Sequence, residues 1–409
     1  MYRGVWRKPW PVVQTRSVSN SRSLTDPRHV RLLDELLAQE QLPHLDRWFS
    51  ARAKNNQWSL EEQRQLWDFL RRALTRGLWV ANQTSGAGAS LWASFRQALK
   101  NRTNEWALRS GHPLVEAPSA NKAGIPQWLE AAFADRSARS WSIDEVHRFL
   151  EAQETPPPVH VRFRHGPEGE TCRQRFLDLG LVEPSEVEGI VQMSGRRGPE
   201  QDQWNRGLVE IQDASSQLSL GRLGLRPGQK VWDVCAGQGG KTLLAANELR
   251  GKGSLVATDI SESKLEILKQ RVRRSQWQNI RLDVWDGNRL PAFPPEIAKH
   301  GGFDRVIVDA PCSASGTWRR DPEGRFRLSP PVVQTLRKHQ ERLLRLGWTA
   351  LKAGGRLAYI TCSWLPAENE DIVGPFLQET RANLIHQELL GLPYFDANTL
   401  YVAILEKPL

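Results

Sequence analysis

The chain has 409 residues, with 56 Lys/Arg against 46 Asp/Glu, a net charge of +10 and a pI near 9.7. That length accommodates roughly two or three domains of ~100–200 residues, and no stretch approaches the ~20 apolar residues of a membrane-spanning helix. The four cysteines, Cys172, Cys235, Cys312 and Cys362, form no C-x-x-C pair or Cys/His cluster, so neither a disulfide framework nor a metal site is indicated and a reducing cytoplasm fits.

Positive charge favours a polyanionic partner, and residues 1–150 hold +8 of the +10. Residues 1–28 are Arg/Ser-rich with Asp26 as their only acid. They read as a flexible basic arm, with an organelle transit segment as the alternative. Residues 29–154 read as helical. Leu32, Leu33, Leu36 and Leu37 recur at helical spacing, as do Leu60, Leu66, Trp67, Leu70 and Leu74, with Gln63 as an outlier. Ser59 with Glu62, and Ser142 with Glu145, form capping-box patterns that open helices. Ten of the 17 tryptophans lie before residue 150, among them Trp48, Trp58, Trp67, Trp79, Trp92, Trp106 and Trp128. They are expected mainly as core anchors, with base stacking in an RNA-binding domain as the functional alternative.

Thr155-Pro-Pro-Pro158 is a stiff linker. Residues 155–207 then read as a small α+β module, with strands Val159–Phe163 and Gly189–Met193 around a helix over 172–179. From residue 208 to 409 strands and helices alternate. Strands are expected at Lys230–Val234, Ser254–Thr258, Ile280–Val284, Phe303–Val308 and Arg356–Thr361, with Leu400–Leu405 closing the sheet. Helices include Lys241–Leu249, Ser263–Arg274 and Pro331–Leu351. This alternation implies an α/β catalytic domain built on a doubly wound, mostly parallel Rossmann-like sheet.

The first of these strands runs into Cys235-Ala236-Gly237-Gln238-Gly239-Gly240-Lys241 and then a helix. Glycines there let backbone approach a ligand, although neither the G-x-G-x-x-G nor the P-loop spacing is met. Asp259 ends the next strand, suited to ribose hydroxyls or equally to capping the following helix. Asp286, beside Gly287, follows the third strand and suits a plain turn or an adenine amino group. Together they outline a pocket for an adenosine-containing ligand. Downstream, Asp309-Ala310-Pro311-Cys312 and Thr361-Cys362-Ser363 each place a thiol just past a strand, where α/β sheets bind ligands. A lone cysteine is more often a small core residue.

Cys235–Thr242 resembles the Cys-Ala-Ala-Pro-Gly-Gly-Lys-Thr loop of the Sun family of RNA cytosine-5 methyltransferases, departing at Gly237 and Gln238. Gln212-Asp-Ala-Ser-Ser-Gln217, Asp309-Ala-Pro-Cys-Ser313 with Arg319-Arg320-Asp321-Pro322, and Thr361-Cys-Ser363 with Glu368-Asn369-Glu370 are similar to further family motifs, in the same order. The resemblance spans roughly residues 155–409 and implies S-adenosyl-L-methionine as methyl donor, contacted by residues 235–241, Asp259, Asp286 and Asp309. It further implies Cys362 as the nucleophile that adds to cytosine C6, Cys312 as the thiol that assists release, and Asp309 as a group acting on the base. Two departures stand out: Arg162-Phe163-Arg164 where Arg-Val-Asn is usual, and Ala314 where Gly is common.

The expected activity is methylation of cytosine C5 in structured RNA, 16S ribosomal RNA by family analogy. Transfer RNA, or a catalytically weak RNA-binding assembly factor with the same fold, are the alternatives. Oligomeric state stays open, with a monomer favoured. A fragment beginning near Thr155 is expected to retain the donor pocket and to lose RNA affinity.

Overall fold

The computed structural model describes residues 27–39, 44–59, 61–63, 65–70, 74, 127–153, 155–194, 203–204 and 206–409. The sequence readings for residues 1–26, Leu60, Trp79, Trp92 and Trp106 lie outside the described residues.

Helices Pro27–Leu37 and Leu45–Asn55, with helical residues 61–63 and 65–70, share one apolar cluster. Leu32, Leu33, Leu36 and Leu37 meet Phe49, Leu66, Leu70 and Leu74 there, and Trp48, Trp58 and Trp67 pack with them. Both capping boxes form. Ser59 N–H donates to Glu62 Oε2 (2.9 Å) and Glu62 N–H to Ser59 Oγ (3.3 Å); Ser142 N–H donates to Glu145 Oε2 (2.7 Å) and Glu145 N–H to Ser142 Oγ (3.2 Å). The second opens helix Ile143–Ala152, which follows helix Gln127–Arg139.

After the prolines comes a four-stranded antiparallel sheet: β1 (His160–Phe163), β2 (Val182–Pro184), β3 (Val191–Met193) and β4 (Val209–Ile211), in the order β2-β3-β1-β4. Helix Pro167–Asp178 covers it through Cys172 and Phe176. β4 lies past residue 207 and still pairs in this small sheet. β2 and β4 lie outside the strands the sequence predicts: Val182-Glu-Pro184 and Val209-Glu-Ile211 are too short and too polar to show alternation, whereas β3 sits within the longer apolar run Gly189–Met193. The module is bolted to the next domain by Glu210, which accepts from Arg271 (2.8 Å) and from Arg274.

Residues beyond 212 form a seven-stranded sheet from β5 (Lys230–Asp233), β6 (Ser254–Asp259), β7 (Ile280–Val284), β8 (Phe303–Asp309), β9 (Leu351–Thr361), β10 (Asn383–Leu390) and β11 (Leu400–Glu406). Its order is β10-β11-β9-β8-β5-β6-β7, with β5 to β9 parallel and the last two antiparallel. This is the doubly wound, mostly parallel sheet that the strand–helix alternation implies. Leu400–Leu405 does not close it: β11 is interior, and the edge is β10. That strand carries Asn383, His386, Gln387 and Glu388, largely outside the core, as edge strands do, so it lacks the apolar run by which the others were read.

The Arg319-Arg320 pair does not form a free basic patch. Arg319 is buried and donates to the carbonyls of Thr155 (3.1 Å) and Pro156 (3.2 Å) and to Asp396; Arg320 donates to Pro158 O (3.1 Å) and Asp213 Oδ2 (3.2 Å). Proline-bearing backbone has few donors of its own, and these guanidinium groups satisfy its carbonyls while fixing the linker.

Candidate active site

β5 lies between β6 and β8, so chain connections leave it in opposite directions, and the crevice at the carboxyl ends of these strands is the topological switch point. The loop after β5 turns through Gly237 (φ 54°) and Gly239 (φ 88°) into helix Gly240–Glu248. At Gly239 a Cβ would fall 2.0 Å from Leu268 Cδ1, so a side chain is excluded; at Gly237 and Gly240 it would meet nothing within 4 Å. The loop thus leaves an open cradle before a helix start, where backbone N–H groups lack helical acceptors. Gln212, quoted from sequence only as part of a motif, supports this loop from behind: its amide donates to Gly240 O (3.2 Å) and accepts from Arg162 Nε (2.8 Å).

Asp259 is buried at the end of β6. Its Oδ2 accepts from Gly237 N–H (2.8 Å) and its Oδ1 from Ser261 N–H (2.8 Å). The cap of the following helix is Ser261, whose side chain accepts from Lys264 N–H, so the helix-cap alternative for Asp259 is corrected in favour of a loop-holding carboxylate. Asp286 is exposed; Asn288 donates to both its oxygens (2.9 Å each), which holds its carboxyl below the usual range. Ala236 is buried in the cluster behind the loop, and Gln238 is exposed. Burial, together with Asp233, Asp259 and Asp309, pushes the Cys235 thiol well up, so it stays protonated.

Asp233, not singled out from sequence, is fully buried at the end of β5. Thr242 Oγ1 donates to its Oδ2 (2.6 Å), whereas its Oδ1 is buried without a hydrogen-bond partner. Burial raises its carboxyl pKa to about 7, against the Thr242 bond. An orphan acceptor, two more carboxylates and an open glycine cradle suit an adenosine ligand that also carries positive charge.

Because the folded-state pKa of Asp233 lies above the unfolded value of about 3.9, the folded chain holds a proton there that the unfolded chain has lost. Its contribution to stability therefore falls as pH rises from about 4 to about 7. Asp233→Asn should make the fall in melting temperature from pH 4.5 to pH 7.5 shallower; an unchanged slope would remove Asp233 from the account.

The two thiols, fifty residues apart in sequence, come together. Cys362 follows β9 directly, Cys312 lies three residues beyond β8, and their Sγ atoms are 3.3 Å apart. The loops that carry them are zipped together. Gly316 N–H donates to Cys362 O (2.9 Å), and Ser363 Oγ lies 3.2 Å from Ser313 Oγ and 2.9 Å from Ser315 Oγ. Only glycine fits at 316, where a Cβ would fall 1.9 Å from Thr399 O. Buried Glu368 accepts from Ser313 N–H (2.9 Å), Ser313 Oγ (2.5 Å) and Gln340 Nε2 (3.0 Å). Ala314 sits at φ 55°, a left-handed conformation that glycine adopts without cost, and its backbone hydrogen-bonds the Cys312 thiol, so the departure from Gly places backbone strain directly beside the pair.

Lys241 Nζ donates to Asp309 Oδ2 (2.8 Å), joining the glycine loop to the end of β8. Burial works against the Lys241 ammonium, but Asp309 and Cys362 outweigh it and hold its pKa above the usual value. Cys312 is pushed well up by its contact with Cys362, then by burial and Glu368.

Residues 221–398 match the family described as 16S rRNA methyltransferase RsmB/F. Ribosomal RNA small subunit methyltransferase B of Pseudomonas putida is 28% identical over 324 residues, which cover 73% of this chain and 68% of that protein. Its counterpart from Yersinia pestis is 30% identical over 260 residues, covering 62% of this chain and 57% of that protein. The crystal structure of PH0851 shares the fold, with a TM-score of 0.67 at 21% identity over 95% of this chain and 99% of that one. Paired thiols beside a glycine cradle, on a sheet of this order and within this match, mark residues 221–398 as a domain of the RsmB/F, or Sun, family of RNA (cytosine-5-)-methyltransferases, with S-adenosylmethionine as methyl donor.

Proposed function

We propose that the chain methylates C5 of a cytosine in small-subunit ribosomal RNA, with Cys362 as the covalent nucleophile. The observation that carries this reading is the 3.3 Å approach of Cys362 to Cys312 beside the Lys241–Asp309 pair. Cytosine C5 is a poor nucleophile until a thiolate adds at C6. In that addition a Cys362 lone pair forms the S–C6 bond, and the displaced electrons make C5 enamine-like. Asp309, held by Lys241, faces the base and carries a proton to N3 as the sulfur adds, help of the kind worth about 10²–10⁴-fold. S-adenosylmethionine supplies the electrophilic methyl group. Water then takes the C5 proton, the electrons of that bond restore the C5–C6 double bond, the S–C6 bond breaks to return the Cys362 thiolate, and N3 gives back its proton. Cys312 assists the departure from beside the sulfur.

In this reading residues 235–241, Asp259 and Asp286 hold the donor, residues 212–409 are the catalytic domain, residues 155–211 dock on it, and the helical segment 29–154 contributes RNA contacts. No helix among the described residues is long and apolar enough to cross a membrane, and the reduced thiols this chemistry needs suit the cytoplasm.

Asp259→Ala should weaken the donor by about 1–3 kcal/mol, the scale of a lost hydrogen bond to a charged group. Calorimetric titration checks this, and unaltered donor affinity would confine Asp259 to holding the loop. Bisulfite sequencing of RNA from cells with and without the gene tests the substrate. Loss of a 5-methylcytosine from small-subunit ribosomal RNA is expected; loss from transfer RNA alone would overturn the ribosomal assignment.

A further inference from the structure

Helix Gln127–Arg139 lies more than 200 residues before the nucleophile in sequence, yet it grips the turn that carries it. Arg136 is fully buried, and its Nε donates to the carbonyl of Trp364, two residues after Cys362, at 2.9 Å. Its fork closes on Glu370, with Nη1 to Oε1 at 2.7 Å and Nη2 to Oε2 at 3.0 Å. This bidentate pair joins the last turn of one helix to the first turn of helix Glu370–Thr380, so both charges also sit favourably at helix ends. One turn back, Phe133 stacks on the Trp364 indole (4.1 Å between centroids, 17° between planes), and Trp318, from the Cys312 side, meets the same indole edge-on at 5.9 Å and 86°. Trp364 is completely buried by these contacts.

From the inner side, Asn369 Nδ2 donates to Ser363 O (2.9 Å), and Trp364 N–H donates to Ser315 Oγ (3.2 Å). The Cys362 turn is therefore held from within by the catalytic domain and from outside by Arg136 and Phe133. No catalytic motif contains either residue.

We propose that Arg136 is a positioning residue for methyl transfer: through the Trp364 carbonyl it fixes the turn that sets Cys362 against the cytosine, so this side chain serves the reaction and is not only part of an attachment for RNA. This rests on Cys362 being the nucleophile. A reacting atom misplaced by about 1 Å costs on the order of 10²-fold in rate, and releasing one of the two supports is expected to cost about 10–100-fold.

The test uses the full-length protein with unmodified small-subunit ribosomal RNA and saturating donor. Arg136→Met keeps the aliphatic stem and removes the fork. Arg139→Met is the matched control, because Arg139 pairs with Asp371 at 2.8 Å from the same helix without a hydrogen bond to the Cys362 turn. Arg136→Met should lower kcat per folded molecule about 10–100-fold, with the RNA KM and donor Kd within about twofold, and should slow iodoacetamide alkylation of Cys362 relative to wild type or make it multiphasic. Arg139→Met should leave kcat and alkylation unchanged. Wild-type kcat and alkylation in folded Arg136→Met would overturn the proposal, as would an equal loss in both variants. If Arg136→Met does not fold, Phe133→Leu decides on the same readouts, a fall in kcat at constant KM supporting the proposal and wild-type kcat overturning it. Full activity of Cys362→Ala would instead show that the nucleophile is misassigned, which separates failure of that reading from failure of this one.

Discussion

Cys362→Ala is expected to reduce methyl transfer to background while donor affinity stays near wild type. In the proposed reading the sulfur bonds to the base, whereas the donor sits in the cradle on the loop after β5. Loss of a covalent nucleophile costs on the order of 10⁶ in turnover in a well-studied hydrolase, and a similar collapse follows here because the alanine variant has no other way to activate C5. Cys312→Ala should behave differently. Addition and methylation proceed, but release stalls, and a protein–RNA adduct should survive denaturing electrophoresis. The asymmetry follows from the proposed roles: Cys362 bonds to the base, whereas Cys312, 3.3 Å from that sulfur, acts only at release. An adduct trapped by Cys362→Ala and absent with Cys312→Ala would reverse the two roles.

Removing residues 1–150 is expected to yield an aggregating protein, contrary to the expectation from sequence that the catalytic part stands alone after the prolines. Leu129, Phe133, Trp141 and Phe149 form one cluster with Trp318, Leu328, Val333, Trp364 and Leu365. Their loss bares a contiguous apolar patch that includes two tryptophans, and a patch of that kind drives self-association. It also strands Glu370, whose bidentate partner is gone. A fragment beginning at Gln127 keeps all of these contacts and should remain soluble with full donor affinity. Size-exclusion chromatography and calorimetry of the 127–409 and 155–409 fragments check this; a monodisperse 155–409 fragment with native donor affinity would show that the helices only rest on the core. In the soluble 127–409 fragment, a shallower dependence of RNA affinity on salt would assign phosphate contacts to the residues removed, because each contact adds about 0.7–0.9 to the slope.

Tryptophans of the N-terminal segment follow the core-anchor expectation wherever their packing is described. Trp48 and Trp141 are buried, and Trp58 and Trp67 pack against the first cluster. For these four the core-anchor role holds, and their enrichment reflects helices that bury large rings against one another and against the catalytic domain.

By itself the sequence determined what short-range chemistry controls: the strand–helix alternation from Lys230 onward, the glycine turn before Lys241, both capping boxes, and two thiols placed just past buried strands. Each depends on residues within a few positions of one another, where periodicity and turn preferences act. Tertiary structure alone decided what depends on distant segments meeting. Lys241 reaches Asp309 across 68 residues, Cys312 meets Cys362 across 50, and Arg136 meets the Trp364 carbonyl across 228. A buried lysine or arginine has no local signature, since its charge is tolerated only because a carboxylate or carbonyl arrives from elsewhere in the chain. The edge strand β10 has no clear local signature for a related reason: its pairing with the interior strand β11 is what makes it a strand.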